Sequence, residues 1–187
     1  GGKMNVAEAS SLVLASSLNV AADSALRKEG AGTLIVRTKE GAIRGEAIIG
    51  AGTLRVENAA SIAASKRIVV GGAGSDKVST RLDVSQLAQG LNVASNQIVQ
   101  GRGTIVGQVN LTAGGAVKPG NSIDSLTISG TGLGIDAPLF TSSRGGVLEI
   151  EYDSTKPADG GRVDLLNVLG KVTLSGGIVQ ARPQVRI

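Results

Sequence analysis

Apolar residues recur at every second position along much of this chain, in runs of three to five residues broken by Gly, Asn, Asp or Ser. That alternation predicts short strands with one apolar face. The pattern is clearest in two near-copies 20 residues apart, Gly30-Ala-Gly-Thr-Leu-Ile-Val-Arg37 and Gly50-Ala-Gly-Thr-Leu-Arg-Val-Glu57. Each reads as a Gly-rich corner, at Gly30 and Gly32 or Gly50 and Gly52, leading into a strand. Leu34 and Val36, or Leu54 and Val56, face one way, and the residues between them face the other. Such a strand cannot bury its apolar face alone, and repetition at a fixed period of about 20 residues is the signature of coils stacked on one another. The expected fold is all-β, a parallel β-helix forming one domain over 1–187, with about eight to ten coils at that period.

The rest of the chain follows the same rhythm. Leu12 to Leu26 alternates as a β-coil, although its Ala and Leu content also suits a capping helix. Residues 27–29, Arg-Lys-Glu, read as a solvated corner, and Gly41 to Ile49 as the middle strand of that coil. Ala59 to Ser65 is a small-residue passage leading to Arg67-Ile-Val-Val70. Short strands are expected at 78–84, 91–93, 97–99, 104–106 and 108–111. Three or four of these per 20-odd residues is the rhythm of a triangular coil. Pro119-Gly120 marks a turn, with Leu126 and Ile128 facing inward beyond it. Residues 131–145 and 153–161 read as longer loops on either side of the strand at 147–152, and further strands follow at 164–168, 172–174 and 178–180.

Composition narrows the core. The 187 residues include 28 Gly, one Phe, one Tyr, and no Trp, His or Cys. The interior is therefore built from Val, Ile, Leu and Ala, a diet suited to a narrow stack in which each inward side chain rests on a similar one. The 19 basic and 15 acidic residues are scattered. No Lys/Arg run marks a nucleic-acid or anionic-membrane patch, so neither partner is expected. No stretch is long and apolar enough to span a bilayer as a helix.

Without His or Cys, Ser-His-Asp and Cys-His nucleophiles, zinc sites using those ligands and His acid–base catalysis are excluded. Paired carboxylates remain. Glu149 and Glu151 share a strand face and point outward if Leu148 and Ile150 face the core, which reads as a solvated face. Asp153, Asp159 and Asp164 surround a Gly-rich loop that also carries Arg162. Gly71-Gly-Ala-Gly-Ser-Asp-Lys-Val-Ser79 fits a calcium-binding nonapeptide, with Asp76 as its carboxylate ligand. The following nine residues hold no Gly, so the adjacent repeat that such a site needs is missing, and a plain Gly-rich corner is the stronger reading. A polysaccharide-acting β-helix enzyme, which would use acids clustered across stacked strands, is the weaker alternative; no enzyme and no cofactor are expected.

Leu18-Asn-Val-Ala-Ala-Asp-Ser-Ala-Leu26 followed by Gly-Ala-Gly-Thr-Leu resembles the bacterial autotransporter-associated β-strand repeat. Val117-Lys-Pro-Gly-Asn-Ser-Ile-Asp-Ser-Leu-Thr-Ile-Ser-Gly130 resembles that family's Pro-Gly-Asn-Ser segment, here Pro119, Gly120, Asn121 and Ser122. Leu148 to Glu151, with Asp164 to Val168 and Val172 to Gly177, resembles the stretch that follows. The resemblance implies a right-handed parallel β-helix from an exported bacterial protein, extracellular or on the cell surface. Its work would be that of a stalk, passenger or surface-layer element. A fragment of a larger protein, end-to-end or lateral self-association, and a cell-surface ligand bound on the long loops are the accompanying expectations.

Overall fold

The computed structural model describes residues 1–38, 40–72, 80–94, 96–120, 123–130, 137–153, 155 and 163–183. Within them the chain forms nineteen strands and one short helix. In chain order these are β1 (Gly2–Asn5), β2 (Ser11–Leu14), β3 (Ala25–Glu29), β4 (Thr33–Val36), β5 (Glu46–Ile49), β6 (Thr53–Val56), α1 (Ala60–Ala63), β7 (Arg67–Val70), β8 (Arg81–Asp83) and β9 (Leu91–Val93). They continue as β10 (Ile98–Gly101), β11 (Thr104–Val106), β12 (Val109–Leu111), β13 (Ala116–Pro119), β14 (Ser125–Ser129), β15 (Phe140–Ser142), β16 (Val147–Tyr152), β17 (Leu165–Leu169), β18 (Val172–Leu174) and β19 (Ile178–Pro183).

The strands sort into three sheets that the chain visits in rotation. The first has the order β1-β3-β5-β7-β10-β13-β16-β19, the second β2-β4-β6-β8-β11-β14-β17, and the third β9-β12-β15-β18. Every pairing between named strands is parallel. Before β9, the third side is held by a bridge between Val20 and Ile43 and by α1, whose Ser61 carbonyl accepts the Ile43 N–H.

Register turns the alternation into columns. In the second sheet Leu34, Leu54, Leu82, Ile105 and Ile128 are cross-strand neighbours in succession, and all are buried. The first sheet contributes Leu26, Ala47, Ile68, Val99 and Val117 in the same way. The third contributes Leu91, Val109 and Phe140. Mostly aliphatic side chains stacked at the strand spacing of about 4.8 Å fill the interior, with Phe140 in the third column.

Several expectations are corrected by the structure. Residues 27–29 belong to β3, with Lys28 fully buried, and do not form a solvated corner. The β-coil expected across 12–26 is present as β2, the Val20 bridge and the start of β3, and the rival capping helix is not. Residues 41–49 divide between the Ile43 bridge and β5, which lie in different sides of the fold. The Ala-rich passage at 59–65 contains α1, since three consecutive small or helix-tolerant residues suffice for a single turn once its ends are held. They are held: the Gln97 Nε2 donates to the Ile62 and Ser65 carbonyls at 3.0 and 2.9 Å. Finally, Phe140 to Ser142 is a strand within the expected loop at 131–145, because Phe140 fills the third-sheet column.

Candidate functional site

The repeat corners carry the most closely built geometry. Gly30 and Gly52 take left-handed backbone conformations, φ +76° and +64°, that side chains with a Cβ rarely adopt. A Cβ on Gly52 would sit 2.5 Å from the carbonyl oxygens of both Gly30 and Gly32. The motif therefore needs Gly because one corner lies directly on the next. Gly32 and Gly50 are likewise pressed, against the Ala7 and Ser10 carbonyls and the Glu29 carboxylate respectively. Leu34, Val36, Leu54 and Val56 are all buried, which places the sequence-derived inward face where expected.

Beside these corners lies a residue that periodicity assigned to solvent. Lys28 occupies an inward position on β3, in register with Ile49 of β5. Its Nζ donates to the carbonyls of Glu29 at 2.9 Å, Gly30 at 2.6 Å and Ala51 at 3.0 Å. Burial pushes its pKa below the usual lysine value, and the Glu29 carboxylate pulls the other way. An inward Lys within a column of aliphatics is the signal that points to it, since such a position must supply partners for the charge.

Pro119 closes β13, and Gly120, φ +84°, exchanges two backbone hydrogen bonds with Gly101 at 2.7 and 3.1 Å. Asn121 and Ser122 lie outside the described residues, as do Asp76 and all but the first two residues of the nonapeptide.

The carboxylates separate into structural roles. Glu149 does point outward, yet it is buried rather than solvated. Lys118 and Arg182 from the flanking strands close over it at 3.0 and 2.9 Å. Asp164 accepts the Asp124 N–H at 3.0 Å and the Glu151 N–H at 2.9 Å, tying the end of the second long loop to two strands. Burial raises its pKa, with the backbone donors opposing and the Glu151 and Asp124 charges reinforcing. Asp153 accepts the N–H and hydroxyl of Thr155. Asp159 and Arg162 lie outside the described residues. Among the described residues no three carboxylates come together as a metal site.

Cross-strand pairing organises the outer faces. Arg55 Nε meets Asp83 at 2.8 Å, Arg37 meets Glu57 at 3.1 Å, and Arg67 pairs with Glu46. Burial alone would raise the Asp83 carboxyl. Hydrogen bonds from the Ser85 hydroxyl and N–H, with the Arg55 guanidinium, hold it below the usual carboxylate range. On the third sheet Asn110 donates to Asn92 at 3.0 Å and accepts from Thr141 at 2.9 Å, forming a polar ladder.

Sequence reasoning also missed an open groove of about 620 Å³ on the outer side of the first sheet. The Glu46–Arg67 pair and Ile98 form its floor, and Asp23, Lys66 and Asn96 stand around it. Glu46 and Arg67 are direct register partners 21 residues apart, so aligning strands at the repeat period would have revealed the pair.

Comparison with known protein families finds no model that matches this chain, and comparison with curated proteins likewise finds no match.

Proposed function

We propose that this chain is a right-handed parallel β-helix serving as a structural element of an exported bacterial protein, a stalk, passenger or surface-layer segment of the autotransporter-associated repeat type. The observation that carries this reading is the rotation of successive strands through three parallel sheets, with like residues stacked in register. Parallel strands joined by crossovers are right-handed in about 98% of cases, which supports that hand for the coil. In such a stack each coil is stabilised by its neighbours, so length is added by repetition and the product is a stiff spacer.

Self-association belongs to the same reading. Leu165, Leu169, Ile178 and Val179 on the last strands of the second and first sheets are more than half exposed. An apolar well of about 250 Å³ opens there between Phe140, Leu148, Leu174 and Val179. A strand edge with uncovered aliphatics accepts another strand, from more of the same polypeptide or from another copy. Protease treatment of intact producing cells tests export: cleavage of the chain without lysis is the expected result, and protection until lysis would overturn the reading. A second reading, an adhesin, is favoured by the groove around Arg67, because concave sites on rigid sheets hold ligands well.

A further inference from the structure

We infer that the corner formed by the Glu29, Gly30 and Ala51 carbonyls is a built cation cage, filled in this chain by the tethered ammonium of Lys28, and that it clamps two successive passages of the chain together. The inference stands on local geometry and is independent of export or display. An ammonium has three N–H donors and no acceptor. Lys28 meets three carbonyl oxygens, at 2.6, 2.9 and 3.0 Å, so every donor is matched. The cage has no carboxylate among its ligands. The Glu29 side chain lies on the outward face, where Arg27 approaches it at 3.3 Å and where it covers Gly50. Neutral carbonyl dipoles in a three-point arrangement suit a monovalent, ammonium-type cation. They offer too few oxygens for the six to eight that calcium takes.

The ligands come from different parts of the stack. Glu29 and Gly30 follow Lys28 directly, but Ala51 belongs to the next corner, between β5 and β6. The clasp there is reciprocal. The Lys28 carbonyl accepts the Gly50 N–H at 2.8 Å and the Ala51 N–H at 3.4 Å, while the Lys28 ammonium donates to the Ala51 carbonyl. In the other direction, the Glu29 carbonyl that receives the ammonium also accepts the Val6 N–H at 3.0 Å, just beyond β1. One side chain thus joins the corners after β3 and β5, and the Glu29 carbonyl it reaches is shared with the backbone of the corner after β1.

Gly is what makes the cage possible. The left-handed conformation at Gly30 turns the chain at the point where its carbonyl faces Nζ. The second near-copy has Ile49 in the place of Lys28, so the repeat does not reproduce the cage one corner later. Among the described residues Lys28 is the only buried basic side chain, and it marks one level in an otherwise self-similar stack, where strands could slip by one repeat. Buried polar groups that fix register in this way are best attested in coiled coils.

Three measurements on the whole chain test the cage. Lys28→Met keeps the apolar stem and removes the charge; a fall in Tm of about 4–8 °C is expected from the Gly30 and Ala51 carbonyls left without donors. A Tm equal to or above that of the unsubstituted chain would overturn the inference, because a stem that only fills space is replaced well by Met. Lys28→Ala should lose at least as much, and ethylammonium chloride should restore part of the loss where choline chloride at equal ionic strength does not. Equal effects of the two salts would overturn the cage. If either variant fails to fold, nitrogen-15 NMR of the lysine-labelled native chain decides. One slowly exchanging side-chain ammonium resonance is expected, and its absence would refute a caged Lys28.

Discussion

Leu54→Ala is the sharpest probe of the inward register. Leu54 is 1% exposed and lies between Leu34 and Leu82, its register partners on the adjacent strands, both fully buried. Removing three carbon atoms from that position costs about 2.4 kcal/mol in transfer free energy at about 0.8 kcal/mol each. The strands on either side are held about 4.8 Å away by backbone hydrogen bonds and cannot close over the gap. A residual cavity of about 60 Å³ then adds about 1.5 kcal/mol, for a total of about 4 kcal/mol. At about 2–4 °C per kcal/mol for a chain of this size, Tm should fall by about 8–16 °C. Ile35→Ala supplies the comparison, since Ile35 sits on the opposite face of the strand before and is half-buried. It should cost about 1 kcal/mol. With no Trp to report on folding, far-UV circular dichroism through a urea titration is the suitable assay. Equal losses for the two variants, or a larger loss for Ile35→Ala, would refute the assignment of Leu34, Leu54 and Leu82 to one buried column.

Two further substitutions test the corner and the ion pairing. Gly52→Ala should destabilise by about 2–4 kcal/mol, because it combines a left-handed backbone with a Cβ against two carbonyl oxygens, whereas Gly72→Ala, which meets nothing within 4 Å, should stay within about 0.5 kcal/mol; similar urea midpoints would remove the argument for Gly at the corner. Asp83 has a pKa below its unfolded value of 3.8, so it contributes stability that is present above about pH 4 and is lost as pH falls through the lower folded value. The stability difference between the native chain and Asp83→Asn should therefore shrink on acidification below pH 4, and a constant difference across that range would show that Ser85 and Arg55 do not favour the ionised carboxylate.

How far the sequence could be read depended on how local the cause was. Alternation marked β6 and β14 because each has apolar residues on one face only, while β4 and β11 also carry Ile35 and Val106 on the other face and were marked by their Gly-Thr corners; burial at Leu34, Val36, Leu54, Val56, Leu126 and Ile128 follows from the inward face. It failed at Lys28, where three carbonyls from two corners override the rule that charge faces water, and those carbonyls meet only once the strands are stacked. It failed at Glu149 for the same kind of reason: Lys118 and Arg182 are 31 and 33 residues away and converge only through the first-sheet register. The turn of helix at α1 depends on Gln97, equally distant in the chain. The groove was illegible because its floor and walls come from four strands or corners that no single motif unites.

The corner between the first and second sheets is elastic in length. Three residues separate β5 from β6 and two separate β10 from β11, but ten separate β7 from β8 and twelve separate β16 from β17. The strands on both sides of each connection still pair in register with their neighbours. Length at this corner is thus uncoupled from the order of the core, since closing a longer loop costs little. For an engineer, the 153–164 segment is accordingly a grafting port: a foreign peptide inserted there would lengthen the connection while the columns of the core stayed in place.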